Sequence, residues 1–334
     1  MKKPFYGVDV DGLLKIKGNK GYGVSIAAAK NGVIETYCSG SGRFGEDFPV
    51  NPDMIFQAAS VSKPVFAMTL LRYVDKGIID LDADISGILS DFAKGPLTFK
   101  ALLSHTAGYS VHGFLGYRAD APLLSLEDVV AGRGNSPKVC RIKPYGKQYM
   151  YSGGGITLAE LAFTRLTGTT LREAFAKEIA EPLELARTGY FQPLDEEFVA
   201  NAAFGGNLRN RRNEDHSHGY HYYPEHAAAG LWTTPTELVK IGIALSQSVR
   251  KGGILKKKTA ERMIKPVMDD YGLCIRTFDT GAVGHDGWNE GFLTFFRVSL
   301  KQDMCVAAMV NRTTGCAYDG LQETEKKLFL NLKE

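Results

Sequence analysis

The stretch FQAASVSKPVFAMTLLRYVDKG, residues 56–77, governs the reading of the whole chain. From Ser60 to Lys76 it holds good helix formers, Gly77 supplies a C-terminal stop, and Pro64 falls in the first turn, where its missing N–H costs nothing. Pro64 also pushes Lys63 away from ideal helical angles. Ser60 and Lys63 stand three residues apart at the helix start, hence on one face. A serine hydroxyl is a weak nucleophile at neutral pH and needs a base within hydrogen-bond reach. The positive end of the helix dipole stabilises a developing alkoxide and disfavours protonated lysine, and the unbonded N–H groups there suit an oxyanion. By itself the pair reads equally as a helix N-cap serine beside a solvated lysine. A second match, Ser248-Val249-Arg250-Lys251, precedes Gly252-Gly253 at a helix C-terminus, where the dipole favours charged lysine, the reverse of what a base requires.

A chain of 334 residues with 44% hydrophobic and 23% charged content buries a large core, as one big domain or two interleaved ones. A net charge of +3 is too small to suggest a nucleic-acid or membrane partner. The sharpest basic cluster, Arg209 to Asn213, reads as a solvated loop. No segment reaches the ~18–20 apolar residues of a membrane span. The basic N-terminus lacks the apolar run of a signal peptide, so a cytoplasmic location is expected, or a periplasmic one if a signal has been removed. Cys38, Cys140, Cys274, Cys305 and Cys316 are scattered and form no C-x-x-C pair. They read as reduced, mostly buried thiols, not as a disulfide framework or zinc site.

Residues 21–40 predict a β-hairpin turning at Asn31-Gly32. GSGRFG, residues 40–45, has the form of a nucleotide-binding loop, but Pro49 and Pro52 follow where that motif needs a helix. Residues 80–265 are mainly helical, with helical spacing at 97–108, 155–168 and 234–249. YGLCIRTFD, GFLTFFRVSL and DMCVAAMVNR then read as strands, and YDGLQETEKKLFLNL as a closing helix. Strands at both ends with helices between predict an α/β (α+β) fold with one antiparallel sheet built from the two termini. Residues 1–80 with 265–334 would form the sheet part, and residues 81–264 a mostly helical insertion.

Two further stretches carry chemistry. KQYMYSGGGI, residues 147–156, presents Tyr151, Ser152 and three glycines; VGHDGWNEGF, residues 283–292, presents His285-Asp286-Gly287 before an apolar run. With ASVSKPV, LLSHTAG and AAAGLWTTPTELVK in the same order, the chain from about residue 20 onward resembles the serine β-lactamases, D-alanyl-D-alanine peptidases and related esterases. That family carries S-x-x-K, then Y-x-N, then K-T-G or H-x-G. The resemblance implies that Ser60 is acylated, that Lys63 takes or relays its proton, and that Tyr151 acts as general base and acid. It implies that His285-Asp286-Gly287 lines the site and that the N–H groups of Ser60 and Trp288 form an oxyanion hole. It also implies an antiparallel sheet with packed helices, a helical insertion, and a site between them.

Two departures bear on substrate. Gly153 stands where family members often carry an asparagine that contacts a substrate amide. His285 replaces a fixed lysine cation with a group only partly charged near neutrality. A substrate carboxylate would then need another cation, such as Arg297 or an arginine of residues 209–212. Tyr149 is a substitute for Tyr151 that lacks the Ser-Gly continuation. His216, His218, His221 and His226 cluster in sequence, but without helical ligand spacing they read as a loop near the site mouth and not as a metal site. His105 reads as a hydrogen-bonded structural histidine, and Trp232 and Trp288 as core residues, with Trp288 also a wall of the acyl pocket. The expected protein is a serine hydrolase without cofactor, acting on a small-molecule ester, peptide or β-lactam. The alternatives are a true β-lactamase and a catalytically weak penicillin-binding or regulatory protein.

Overall fold

The structure is a computed structural model that describes residues 3–16, 22–206, 219–313 and 315–333. The expected hairpin forms as β1 (Gly23–Lys30) and β2 (Val33–Gly40). Asn31 and Gly32 close it with φ of 55° and 81°, a turn whose twist matches that of the strands. The segment Gly40–Gly45 leads into bends, as its prolines require, and not into a helix. Helix α1 (Ser62–Asp75) follows a single 3₁₀ turn, Ala59–Val61, so Ser60 precedes the α-helix proper. Gly77, at φ 72°, ends α1 by donating its N–H to the Val74 carbonyl.

Helices α2 (Gly153–Thr167), α3 (His226–Ala229) and α4 (Pro235–Lys251) occupy the middle of the chain. The helix expected at 97–108 is only Phe99–Leu103. His105 takes a left-handed φ of 56°, which turns the chain and buries its ring. The C-terminal strands are β3 (Arg276–Thr277), β4 (Ala282–Asn289), β5 (Phe292–Ser299) and β6 (Met304–Val310), and α5 (Gly315–Lys333) closes the chain. YGLCIRTFD keeps only two strand residues, because Cys274 sits at φ 57° and breaks the extension. His285-Asp286-Gly287 lies inside β4, and the apolar run expected after it forms β5.

The sheet is antiparallel throughout, in the order β2-β1-β6-β5-β4-β3, so both chain ends build it. Its side chains alternate between two cores. Ala27, Ala29, Phe296, Val298, Cys305 and Ala307 face the main core; Ile26, Ala28, Phe295, Val306 and Ala308 face a smaller one with Leu321, Leu328 and Phe329 of α5. Helix α4 lies so close to the main face that a Cβ at Gly242 would stand 2.5 Å from the Cys305 sulfur. Trp232 is fully buried. Trp288 is 53% exposed and is no core residue, because it stands near the end of β4 and lines the open cleft. Cys274 and Cys305 are buried, but Cys38 is half-buried and Cys140 exposed, so burial does not extend to the thiols generally. Among the described residues no helix is long and apolar enough to cross a membrane.

Candidate active site

Ser60 sits on the 3₁₀ turn that feeds α1, beneath the inner edge of β4. Ala59 is held at φ 50°, an uncommon conformation for a residue with a Cβ. The backbone of β4 presses against this turn. A Cβ at Gly287 would lie 2.3 Å from the Ala58 carbonyl and 3.1 Å from the Ala59 Cβ, so only glycine fits there.

The Lys63 ammonium donates to Ser60 Oγ at 2.8 Å and to the Ala228 carbonyl of α3 at 2.7 Å. Lys63 is 2% exposed, and among the described residues no carboxylate pairs with it. Burial pulls its pKa down to about 7, with Cys274 opposing the shift. Tyr151 joins the pair from the residue just before the N-cap of α2, and its ring centre lies 5.0 Å from the lysine nitrogen. Burial raises the Tyr151 phenol, while a hydrogen bond with Ser60 acts in the opposite sense. Ser152 caps α2, accepting the Gly155 N–H at 2.8 Å and donating to the Ser110 carbonyl at 2.7 Å. The Ser152 N–H donates to His105 Nδ1 at 3.1 Å, which locks the tyrosine segment in place. His105 is thus a structural histidine on one nitrogen; its Nε2 has no hydrogen-bond partner among the described residues. Tyr149 lines the same cleft with its ring against Tyr271 and His105, and burial raises it to about 12.

His285 faces the Asp286 carbonyl through Nδ1 at 2.5 Å and the Tyr271 hydroxyl through Nε2 at 3.0 Å. A carbonyl only accepts, so Nδ1 carries the proton and Nε2 accepts from the tyrosine. Burial and then the Lys63 charge depress His285 to about 3. The ring is therefore neutral at all ordinary pH, not partly charged as the sequence alone suggested. Arg297 is not free to bind a substrate carboxylate. It is 4% exposed, it pairs with Asp286 at 2.6 Å and Glu325 at 3.4 Å, and its guanidinium stacks 3.6 Å from the Phe278 ring. Besides Lys63, Arg276 lines the cleft among the described residues, half-exposed and paired with Asp270 at 2.8 Å.

These groups open into a cleft of about 500 Å³, walled by Phe114, Tyr149, Tyr271, Phe278, Trp288 and Tyr318. Gly153 also lines it, and a Cβ there would come within 3.0 Å of the His112 carbonyl and the Phe114 ring. Asn289 ties β4 to the floor, donating to Gln57 Oε1 at 2.9 Å and to the Ala229 carbonyl at 3.0 Å. Sequence reasoning missed Tyr271, Arg276, Asn289 and Phe114; only Asn289 lay within a motif stretch.

The competing serines are structural. Ser62 Oγ donates to the Ala59 carbonyl at 2.6 Å and accepts the Leu231 N–H at 2.9 Å. Ser248 Oγ donates to the Ala244 carbonyl at 2.7 Å and accepts the Leu255 N–H at 3.2 Å. His216, His218 and the arginines of 209–212 lie outside the described residues. His221 stands in a short strand paired with Arg118, and His226 stands near Glu160. Among the described residues no group of three His, Cys, Asp or Glu side chains is placed to hold a metal ion.

A family model described as Beta-lactamase matches residues 15–329. The chain is 25% identical over 338 residues to ML-236A carboxylate methylbutanoyltransferase of Penicillium citrinum, covering 81% of this chain and 79% of that one. It is 27% identical over 262 residues to lovastatin esterase of Penicillium rubens, covering 65% of this chain and 60% of the relative. The crystal structure of D-amino acid amidase from Ochrobactrum anthropi SV3 superposes with a TM-score of 0.81 over 97% of both chains at 19% identity, a likeness of fold.

Proposed function

This chain belongs to the Beta-lactamase family and is a serine hydrolase of the ester- or amide-cleaving kind, and we propose that it hydrolyses small uncharged esters through an acyl-enzyme on Ser60. The observation that carries this reading is the 2.8 Å bond between Ser60 and a buried lysine whose pKa lies at about 7. Neutral Lys63 accepts the Ser60 proton as Oγ attacks the carbonyl carbon. Tyr151 is a phenol at neutral pH, so it relays a proton between Lys63 and the leaving group instead of starting as a phenolate. The N–H groups of Ser60 and Trp288 receive the oxyanion, with β4 held against the serine turn by Gly287. Water, activated by the same lysine and tyrosine, then releases the acid. We read residues 1–80 with 265–334 and residues 81–264 as the two walls of this cleft.

The charge pattern supports the ester preference. Among the described residues of the cleft wall, Arg276 is paired with Asp270 and Asp286 with Arg297, and His285 is neutral. A substrate carboxylate gains little there, whereas the aromatic walls favour an apolar ester. Transfer to an alcohol in place of water is the second reading, favoured by the methylbutanoyltransferase relative. The test is reaction with a fluorophosphonate followed by mass spectrometry of the labelled peptide, alongside turnover of p-nitrophenyl esters with and without an added alcohol. Label on Ser60 with acid as product supports hydrolysis, and ester exchange supports transfer. Label on Ser62, Ser248 or a cysteine would sink the assignment.

A further inference from the structure

We propose that a second pocket, walled by Leu123, Leu124, Leu126 and Leu171 and floored by the Glu160 carboxyl, binds a small apolar molecule through its primary ammonium group. The pocket holds about 240 Å³, below the usual range for drug-sized ligands, so it suits a single ring on a short arm. His226, the first residue of α3, lines this pocket, whereas Ala228 and Ala229 of the same helix line the catalytic cleft.

Glu160 projects from α2 and is 2% exposed. One carboxyl oxygen accepts the Ala227 N–H at 2.8 Å. The other faces His226 Nδ1 at 3.6 Å, beyond hydrogen-bond length. The neighbouring Glu225 is fully buried, and neither of its oxygens bonds another described residue. Burial raises both carboxyls to about 8, and the Glu225 charge adds to the shift of Glu160. His226 supplies no counter-charge, because burial and then Arg172 depress it to about 4. Arg172 itself is committed to Asp195 at 2.6 Å. The Glu160 carboxyl therefore lines the pocket with a second buried carboxyl near it, and among the described residues no cation pairs with it.

An ammonium ligand answers both features. Its charge pairs with the free Glu160 oxygen, and its hydrocarbon covers the leucines. At neutral pH the Glu160 proton leaves to solvent as the ammonium binds, so the pair forms as carboxylate and ammonium. Binding is measured without substrate, so it stands or falls independently of the hydrolytic reading.

Benzylamine is the probe, titrated calorimetrically into the full chain in two buffers of different ionisation heat. Saturable one-to-one binding with release of a proton is expected, and benzyl alcohol should bind at least about tenfold more weakly. Glu160→Gln should weaken benzylamine by about tenfold or more. Leu124→Trp fills the pocket without touching the carboxyl and should do the same. Asp286→Asn, which alters the carboxylate of the catalytic cleft, should leave the affinity unchanged. Failure to saturate, affinity unmoved by both pocket substitutions, or a loss that follows Asp286 would each overturn the proposal.

Discussion

At the scale of single residues, the chemistry turns on a lysine whose neutral form becomes available near pH 7. An exposed lysine stays protonated up to about pH 10.4, whereas burial brings Lys63 down to about 7. Its basic form therefore appears as pH rises through that value. The ester kcat/KM, which reports the free enzyme, should climb with pH through about 7 and level above it. A pH profile that falls with rising pH across that range would contradict the base assignment. Ser60→Ala removes the attacking oxygen while leaving Lys63 its bond to the Ala228 carbonyl. Turnover should drop by at least about a thousandfold with the fold intact, as checked by initial rates and circular dichroism. Tyr151→Phe keeps the ring against His105 but removes the phenolic proton, so deacylation should slow and acyl-enzyme should accumulate in the mass spectrum.

Secondary-structure elements place these residues through close backbone contacts. Strand β4 and the serine turn approach so tightly that Gly287→Ala would force the strand away by the 2.3 Å conflict with the Ala58 carbonyl. Misplacing an oxyanion donor by about 1 Å is worth roughly a hundredfold in rate, so kcat should fall by about that factor with a stability loss of about 1–3 kcal/mol by thermal unfolding. The contact between α2 and α3 adds a pH-dependent term. Folded Glu160 holds its proton up to about pH 8, whereas an unfolded glutamate releases it near its model value of 4.5. A raised folded pKa means stability is lost as pH rises from about 4.5 toward 8, by a few kcal/mol at most. Glu160→Gln lacks that proton, so its unfolding free energy should gain on the parent protein across this window. A constant difference in urea midpoints would remove the buried-acid account.

For the molecule as a whole, the cleft between sheet and helices selects substrates by charge balance as much as by shape. Small p-nitrophenyl esters should be hydrolysed with higher kcat/KM than penicillins or cephalosporins, because the arginines at the cleft among the described residues, Arg276 and Arg297, are already ion-paired. A cephalosporin turned over faster than the best ester would establish the β-lactamase alternative. Sequence alone determined what local chemistry can carry. Asn31-Gly32 specified its turn, the short apolar runs of β5 and β6 specified strands, and Ser60 and Lys63 are neighbours because three residues of helix make them so. Ordered motifs extended this to Tyr151 and His285 through family resemblance, since nothing in their spacing makes them meet. Tertiary structure decided the rest. The Ser60 turn proved to be 3₁₀, and His105 closed the helix at 97–108 early by entering the left-handed region. It also decided every protonation state at the site. Lys63, His285 and Glu160 are shifted by burial among residues distant in the chain, and desolvation is a property of the packed interior that no local stretch encodes.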